Sequence, residues 1–409
     1  MARRLIAVSF IYVCTVAGWM VLAGTMWDRT KKQDEKLQTS VSQLWGNPQS
    51  QSAPNAYFEI TSGTNQRVHT ALGKSDIKVY LELDYRKKGL LWYSTYRVRF
   101  TGEYLVENST DQQKTMIFDF LLPSPTANYD NFRLAIGEVE VSEINISAGR
   151  VKQALELGPA ENETVLVSYE SQGMDHWWYD FGMEVSQAKN FSLVINTNFA
   201  NIDFSDESIS PTTKVATDEG WRLSWNYVNR LSGGNIGMVM PNKLNPGPWA
   251  MQVIRAAPVS LFLFFFLLMI FATIKKVDIH PMNYFFIGAA FFSFHLLLAY
   301  LVDHISIHLA FWICSAVSIF LVVSYMRLVV GSRFAFREIA LSQLVYLVLF
   351  SYTFFHKGFT GLAITILCIC TLFVVMQFTA KVDWATVFAN TFNSKVLSGF
   401  VSDKSVDES

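Results

Sequence analysis

Long apolar runs lie at the two ends of the chain, and a polar region separates them. The first run follows Arg3 and Arg4 and continues to Trp27. The later runs cover residues 256–274, 282–302, 308–330, 339–355 and 359–380. About 20 apolar residues at ~1.5 Å rise match a hydrocarbon core of ~30 Å, so these six runs predict six transmembrane α-helices. The run 339–355 is the shortest and lies near the lower limit for spanning.

The first run predicts an uncleaved signal anchor over residues 1–27. Cleavable signal peptides have an apolar stretch of only ~7–15 residues followed by small residues, and this run is longer and lacks that site. Residues 28–46 then place Leu37, Val41 and Leu44 at spacings of three and four, which predicts a juxtamembrane amphipathic helix ending at Gly46. This helix would either pack on the domain that follows or bind a partner.

The polar region between the apolar ends has a different period. Apolar residues alternate with polar ones in segments such as 96–100, 165–169, 191–195 and 221–225. Period two indicates strands with one buried face, and irregularly spaced turn residues favour an antiparallel sandwich over alternating strands and helices. We therefore expect residues 47–250 to form a β-rich domain. The fold class is a membrane protein with six transmembrane helices and this domain inserted between helices 1 and 2.

An aromatic cluster, MDHWWYDFG at residues 174–182, interrupts the alternation. Trp and Tyr bury large areas at half-wet positions, so the cluster is typical of a sheet core or edge. A sugar-binding platform is the other interpretation of the same residues.

Charges in the short loops predict the topology. Lys275, Lys276 and Lys381 fall in loops on one side of the block 251–384, together with the arginines of 327–337, and positive loops face the cytoplasm. Residues 28–250 then lie outside the cytoplasm, and the tail 385–409 lies inside it. Arg29 and the two lysines that follow it oppose this assignment. The net charge of −1 provides no basic face for nucleic acid.

Few residues are candidates for chemistry. His295 is the one ionisable group well inside a predicted span, where it would form a structural hydrogen bond or serve as a proton relay or ligand contact. Asp303, His304 and His308 resemble a metal-ligand group, with both histidines on one helical face, but Asp and His are also ordinary at a membrane interface. Asp278 would cap the helix opened by Pro281. No nucleotide-binding or hydrolase motif is present, so we expect no enzyme, cofactor or metal.

Several segments resemble the CreD family of bacterial inner-membrane proteins. The most specific are HPMNYFFIG, with His280, Pro281, Tyr284 and Gly288, and FHLLLAYLVDH, with His295, Asp303 and His304. Further similarity lies in residues 44–49, 219–225, 233–237 and 381–384.

The resemblance implies an inner-membrane protein associated with envelope integrity and stress response, with a large periplasmic domain between the first two helices. Residues 28–250 would then be periplasmic. It brings no catalytic residues. Its partners would be the lipid bilayer and envelope or membrane proteins. Two other functions stay open: a transporter or flippase-like component, and a membrane-bound envelope hydrolase that uses paired carboxylates.

Overall fold

The computed structural model describes residues 2–62, 64–89, 91–181, 188–204, 208–230, 234–356 and 358–380. The chain divides into two compact units. One unit comprises Met1–Gln33 and Asn245–Ser409, and the other is Asp34–Leu244. The predicted tail 385–409 lies outside the described residues.

Within the described residues, six helices are long and apolar enough to cross a membrane, judged by length and composition. In chain order they are α1 (Ala2–Trp45), α2 (Pro246–Ile274), α3 (Pro281–Leu301), α4 (Ile307–Val330), α5 (Ser332–Phe355) and α6 (Thr360–Thr379). In α5, two stretches widen to π-helix, Ala335–Ile339 and Leu344–Leu349. The long apolar helices expected from the sequence are therefore present.

Helix α1 is one continuous helix. The predicted anchor and amphipathic helix are not separate, because no glycine or proline lies between Gly24 and Gly46 to interrupt the helical hydrogen bonds. Gly46 ends the helix at a φ of +122°, and a Cβ there would lie 2.1 Å from the carbonyl oxygen of Gln172. Only glycine fits this position.

Two helices of the apolar block begin earlier than the hydrophobic pattern indicates. Helix α2 starts at Pro246 instead of residue 256, because Pro246 and Pro248 occupy its first turn, where no backbone N–H is needed. Helix α5 starts at Ser332 instead of residue 339. Its first turns carry Glu338, which forms an ion pair with Lys275, so charged residues here belong to the helix.

The other unit is rich in β-structure. Its strands are β1 (Gln49–Ser52), β2 (Asn55–Ser62), β3 (Thr64–Thr70), β4 (Lys74–Lys88), β5 (Leu91–Glu107), β6 (Lys114–Leu121), β7 (Tyr129–Ile136), β8 (Val139–Glu140), β9 (Ile146–Ser147), β10 (Arg150–Leu157), β11 (Asn162–Met174), β12 (His176–Asp180), β13 (Ala188–Thr197), β14 (Thr213–Ala216), β15 (Trp221–Arg230) and β16 (Asn235–Val239). They form three sheets, with strand orders β1-β12-β16, β3-β2-β6-β10-β9 and β14-β15-β13-β4-β5-β11-β7-β8.

Among the strands that the structure describes, most pairs are antiparallel, as expected, but two are parallel. Strand β1 runs parallel to β12, with Gln49 opposite Trp177, and β13 runs parallel to β4, with Ile195 opposite Val79. Parallel neighbours need a long crossover connection, and hydrophobic alternation along each strand contains no information about such long-range pairing.

The sheets enclose a core with many aromatic side chains. Phe100 stacks on Tyr169 with ring centroids 4.9 Å apart, and Tyr104 packs against Phe118. The aromatic cluster forms β12, where Trp177 and Tyr179 are fully buried. These two rings therefore belong to the interior of the sheet structure.

The C-terminal turns of α1 pack on the β4–β5 hairpin. Val41 is buried in a small cluster with Leu91, Tyr93 and Met174, and Leu37 and Trp45 pack against it. Leu44, expected on the same stripe, is exposed. This end of α1 is thus a packing helix of the β-rich unit.

Candidate functional site

The family-motif residues of α3 begin at its N-terminus. His280 is the N-cap, and its Nδ1 accepts a hydrogen bond from the backbone N–H of Met282 at 3.2 Å. Pro281 follows at the first helical position. The prediction that Asp278 caps this helix is wrong: Asp278 forms an ion pair with Arg4 of α1. The His280 imidazole is thus the cap acceptor, and the Asp278 carboxylate binds the Arg4 guanidinium instead.

The middle of α3 approaches α1 closely because both helices carry glycine there. A Cβ on Gly288 would lie 3.3 Å from Oγ1 of Thr15, and one on Gly18 would lie 3.3 Å from the ring of Phe292. Small residues let transmembrane helices approach, and this increases dispersion contacts between them. Tyr284, one turn before Gly288, packs edge-on against Phe265 of α2.

His295 is fully buried on the same side of α3. Its Nδ1 lies 2.8 Å from the carbonyl oxygen of Phe291, which fits a neutral ring that donates from Nδ1. Its ring contacts Trp19 of α1 edge-on, with centroids 5.2 Å apart. In the described part of the chain, Nε2 has no hydrogen-bond partner. The imidazole therefore has one structural hydrogen bond, and its second nitrogen stays unpaired among aromatic rings.

Asp303 pairs with Arg29 of α1 where α3 ends. The distance from Arg29 Nη2 to Asp303 Oδ2 is 2.8 Å, and the same guanidinium donates to the carbonyl oxygen of Ala299 at 3.0 Å. It also lies over the ring of Tyr300. Burial raises the pKa of Asp303, and this effect outweighs the attraction of Arg29, which lowers it.

Arg29 was missed as a functional residue by sequence reasoning. In the assignment of topology from loop charges, Arg29 was only a cation on the side placed outside the cytoplasm. The sequence does place one arginine, Arg29, just after the anchor and one aspartate, Asp303, just after an apolar run. The two can be recognised as a pair only when their helices are known to be neighbours.

His304 and His308 do not lie together on one helical face as their spacing suggests. His304 is exposed in the turn between α3 and α4, so it does not share a helical face with His308. The ring of His308 stacks on Phe355 with centroids 4.6 Å apart. Among the residues that the structure describes, no three His, Cys, Asp or Glu side chains are grouped so that they could hold a metal ion.

The ion pairs show that α1 and α3 run parallel. Arg4 near the N-terminus of α1 pairs with Asp278 just before α3, and Arg29 further along α1 pairs with Asp303 just after the end of α3. We define this contact, from Arg4–Asp278 to Arg29–Asp303, as the α1–α3 seam. It includes Gly288, His295 and Asp303 of the predicted site residues. His304 lies outside it.

Comparison with known proteins gives one informative match. No curated protein matches the chain. A solved structure described as a putative nutrient binding protein from Legionella pneumophila shares 7% identity at a TM-score of 0.32, over 54% of this chain and 76% of that one. A likeness this weak supports no functional argument. Residues 249–385 match the family model described as "Inner membrane protein CreD". This segment contains all of α3 and α4, and the match confirms the resemblance seen in HPMNYFFIG. Over most of its apolar helix block, the chain is similar to the CreD family of inner membrane proteins.

Proposed function

We propose that the chain is a non-enzymatic protein of the bacterial inner membrane that acts in envelope integrity or stress response. In this proposal the β-rich unit is periplasmic, the C-terminus is cytoplasmic, and the partners are membrane or envelope proteins. The α1–α3 seam is the observation that supports it best, because three of the family-motif residues, Gly288, His295 and Asp303, lie along this one helix contact.

The seam also supports the proposed topology. Two parallel helices cross a membrane in the same direction, which agrees with α1 and α3 as the first and third of six alternating crossings. Arg29 was the residue that opposed the charge rule. Because Asp303 balances its charge, Arg29 does not behave as a free loop cation.

The interior of the β-rich unit favours a binding role over hydrolysis. Among its described buried residues, the one carboxylate is Asp119, which pairs with Arg150 at 3.0 Å. Glycoside hydrolysis requires two carboxyl groups about 5–10 Å apart across a substrate groove. An arginine-paired carboxylate does not supply that arrangement.

The polar residues of the helix block support a structural role more than a transport path. Gln343 of α5 donates to Ser318 of α4 at 3.0 Å, and Ser318 donates to the carbonyl oxygen of Ala290 in α3 at 3.0 Å. These bonds link three helices, as buried polar side chains commonly do in membrane proteins. A transporter-like component is thus the weaker proposal.

Reporter fusions test the proposed topology. A reporter enzyme that is active only in the periplasm is fused after Gly149, in the turn before β10, or after Gly331, between α4 and α5. We expect activity from the first fusion and none from the second, because the positive loops hold Gly331 in the cytoplasm.

A cytoplasm-active reporter at the same two positions is the control and should give the reciprocal result. Activity of the periplasmic reporter at Gly331, with none at Gly149, would reject the proposed topology and with it a periplasmic role.

A further inference from the structure

The five-stranded sheet of the β-rich unit is split along one side. Strands β2 and β6 pair only over three residues, from Asn55 opposite Asp119 to Tyr57 opposite Ile117. Beyond this point β2 continues with β3, and β6 continues with β10. Within the described residues, Phe58–Ile60 of β2 and Lys114–Met116 of β6 therefore have no strand on their facing edges.

The split opens into a cleft of about 540 Å³. This volume is within the range of ligand sites, roughly 300–1,000 Å³. The cleft is lined by both strand edges and by Lys152 and Ala154 of β10. Lys114 extends along one edge, with its Nζ 5.4 Å from the ring centroid of Phe58 on the other. A strand edge carries unpaired N–H and C=O groups, so the cleft offers backbone hydrogen bonds from two sides.

The charge of the cleft favours an acidic occupant. Three cations line it, Arg67, Lys114 and Lys152, against the single carboxylate of Glu59. Arg67 is engaged with Glu59 at 3.3 Å. A second acid nearby, Glu156, accepts a hydrogen bond from Thr115 at 2.7 Å. In the described part of the chain, neither Lys114 nor Lys152 has a carboxylate partner, so the two lysines give the cleft a positive potential.

We propose that the cleft binds an extended acidic peptide segment of a partner protein, which adds a strand between β2 and β6. Backbone hydrogen bonds to the two open edges provide affinity, as in other cases of strand addition, and Lys114 and Lys152 select acidic side chains. This inference deepens the proposed function by giving the chemistry of a partner, and only the compartment of that partner rests on the proposed topology.

The test uses the full chain purified in detergent and three synthetic probes. The first is a capped peptide of alternating Glu and Val, the second replaces Glu by Lys, and the third is the Glu-Val peptide with alternate backbone nitrogens methylated. We expect the first to bind and the other two to bind at least about tenfold more weakly, because one loses the charge match and the other loses the backbone donors. Equal binding of all three probes, or no binding of the first, would overturn the proposal.

Amide hydrogen exchange locates the bound peptide. Exchange at residues 58–60 and 114–116 should slow when the Glu-Val peptide binds. Protection elsewhere would refute the site. Protection of these edges that grows with protein concentration, without peptide, would assign the cleft to a second copy of the chain and overturn the proposal.

Charge-reversal variants complete the test. Lys152→Glu should weaken binding of the Glu-Val peptide about tenfold, whereas Lys78→Glu, on an exposed position of β4, should leave it unchanged. Thermal unfolding of both variants checks their folding, and the three-probe comparison does not depend on either variant. Peptide binding is measured in detergent and therefore does not depend on the topology. Absence of peptide binding would leave the proposed topology unaffected, and a reversed fusion result would leave the binding measurement unaffected.

Discussion

Asp303 shows how a single charged residue acts at the end of a membrane helix. Its side chain is 15% exposed and that of Arg29 is 37% exposed, so the pair lies between a surface and a buried ion pair. Removing either charge leaves the other partly desolvated beside apolar helices. This cost, more than the attraction itself, makes both residues important.

A double-mutant cycle measures the coupling of this pair. Arg29→Gln and Asp303→Asn should each lower the stability of the purified protein, and the double variant should lose less than the sum of the two. We expect a coupling free energy of about 1 kcal/mol, above the usual value for exposed pairs, because Asp303 is partly buried. Midpoints of unfolding in mixed detergent with rising dodecyl sulfate provide the measurement. Strictly additive effects would show that the contact does not stabilise the fold.

Asp175 is a second residue whose environment predicts a pH effect. It lies between β11 and β12 at a φ of +66°, and it faces Asp34 and Gln38 of α1 as well as His176. Tyr93 of β5 donates to Asp34 at 3.2 Å. Burial raises the pKa of Asp175, Asp34 raises it further, and His176 and Gln38 partly oppose the shift.

Asp175→Asn should stabilise the β-rich unit near neutral pH. The pKa of Asp175 is higher in the folded state than in the unfolded state. Protonation of Asp175 therefore stabilises the fold when the pH falls through the folded-state pKa, and this stabilisation is lost at higher pH. Asparagine mimics the protonated form and tolerates positive φ. The melting temperature of the variant should exceed that of the wild type at pH 7.5, and the difference should shrink on acidification. Asp218→Asn, in an exposed turn, is the control. A constant difference at all pH values would contradict the assignment.

At the scale of elements, α1 and α3 form the seam through a short row of small and aromatic residues. Trp19, Leu22 and Met26 of α1 are buried, whereas Ile6, Phe10 and Val21 are exposed on its other side. Burial thus recurs every three to four residues in a stretch of α1 that is apolar on all sides. The exposed side faces lipid in the proposed topology, and the buried side packs on the helix block.

Gly288→Leu should separate these two helices. The first atom of the new side chain would already meet Thr15 at 3.3 Å, so the larger residue must displace α1 or adopt a strained rotamer. We expect a loss of about 1–3 kcal/mol in stability, as is usual for overpacking. Gly24→Leu is the matched control, because among the described residues outside its own helix backbone no atom lies within 4 Å of its Cβ position. Equal unfolding midpoints for the two variants would show that the seam tolerates separation.

At the scale of the whole molecule, the chain consists of two units that differ in the physics of their cores. The helix block is rich in Phe and Leu and uses helix packing, interhelical hydrogen bonds and ion pairs at the helix ends. The β-rich unit has a core made by the inner faces of three sheets. All four cysteines, Cys14, Cys314, Cys368 and Cys370, lie outside Asp34–Leu244, so the β-rich unit folds without disulfides.

Residues 34–244, expressed alone, should unfold cooperatively with a midpoint that reductant does not change. Shortening this segment to residues 47–244 should cost about 2 kcal/mol or more, because Leu37, Val41 and Trp45 no longer cover Leu91, Tyr93 and Met174. Denaturant titrations followed by tryptophan fluorescence compare the two segments. Equal midpoints would show that the end of α1 adds nothing to the β-rich unit.

Much of this organisation follows from sequence patterns. The long apolar runs predict the helices, and the alternation in segments such as 191–195 predicts strands, because solvent contact imposes a period on each element locally. The helix cap at His280, the parallel pair β4–β13 and the early start of α2 were not predicted. Each depends on a partner or on backbone geometry that neighbouring residues do not reveal.

The candidate site divides in the same way. His280, Pro281, Tyr284, Gly288, His295 and Asp303 are visible as a motif on one helix, but Thr15, Gly18, Trp19 and Arg29 are not, because they lie in a uniformly apolar run or beside other charges. The cleft between β2 and β6 is likewise invisible in the sequence, because the length of their pairing depends on contacts between strands far apart in the chain.

The amino-acid sequence by itself determined which segments avoid water, which charged residues flank those segments and which family the helix block resembles. Transfer of side chains between water and an apolar environment is a local property that each residue contributes independently. The tertiary structure alone decided that α1 lies against α3, that Arg29 balances Asp303 and that one sheet opens into a basic cleft. These features come from contacts between residues far apart in the chain. The geometry of such contacts is fixed only when the helices and strands pack closely against one another.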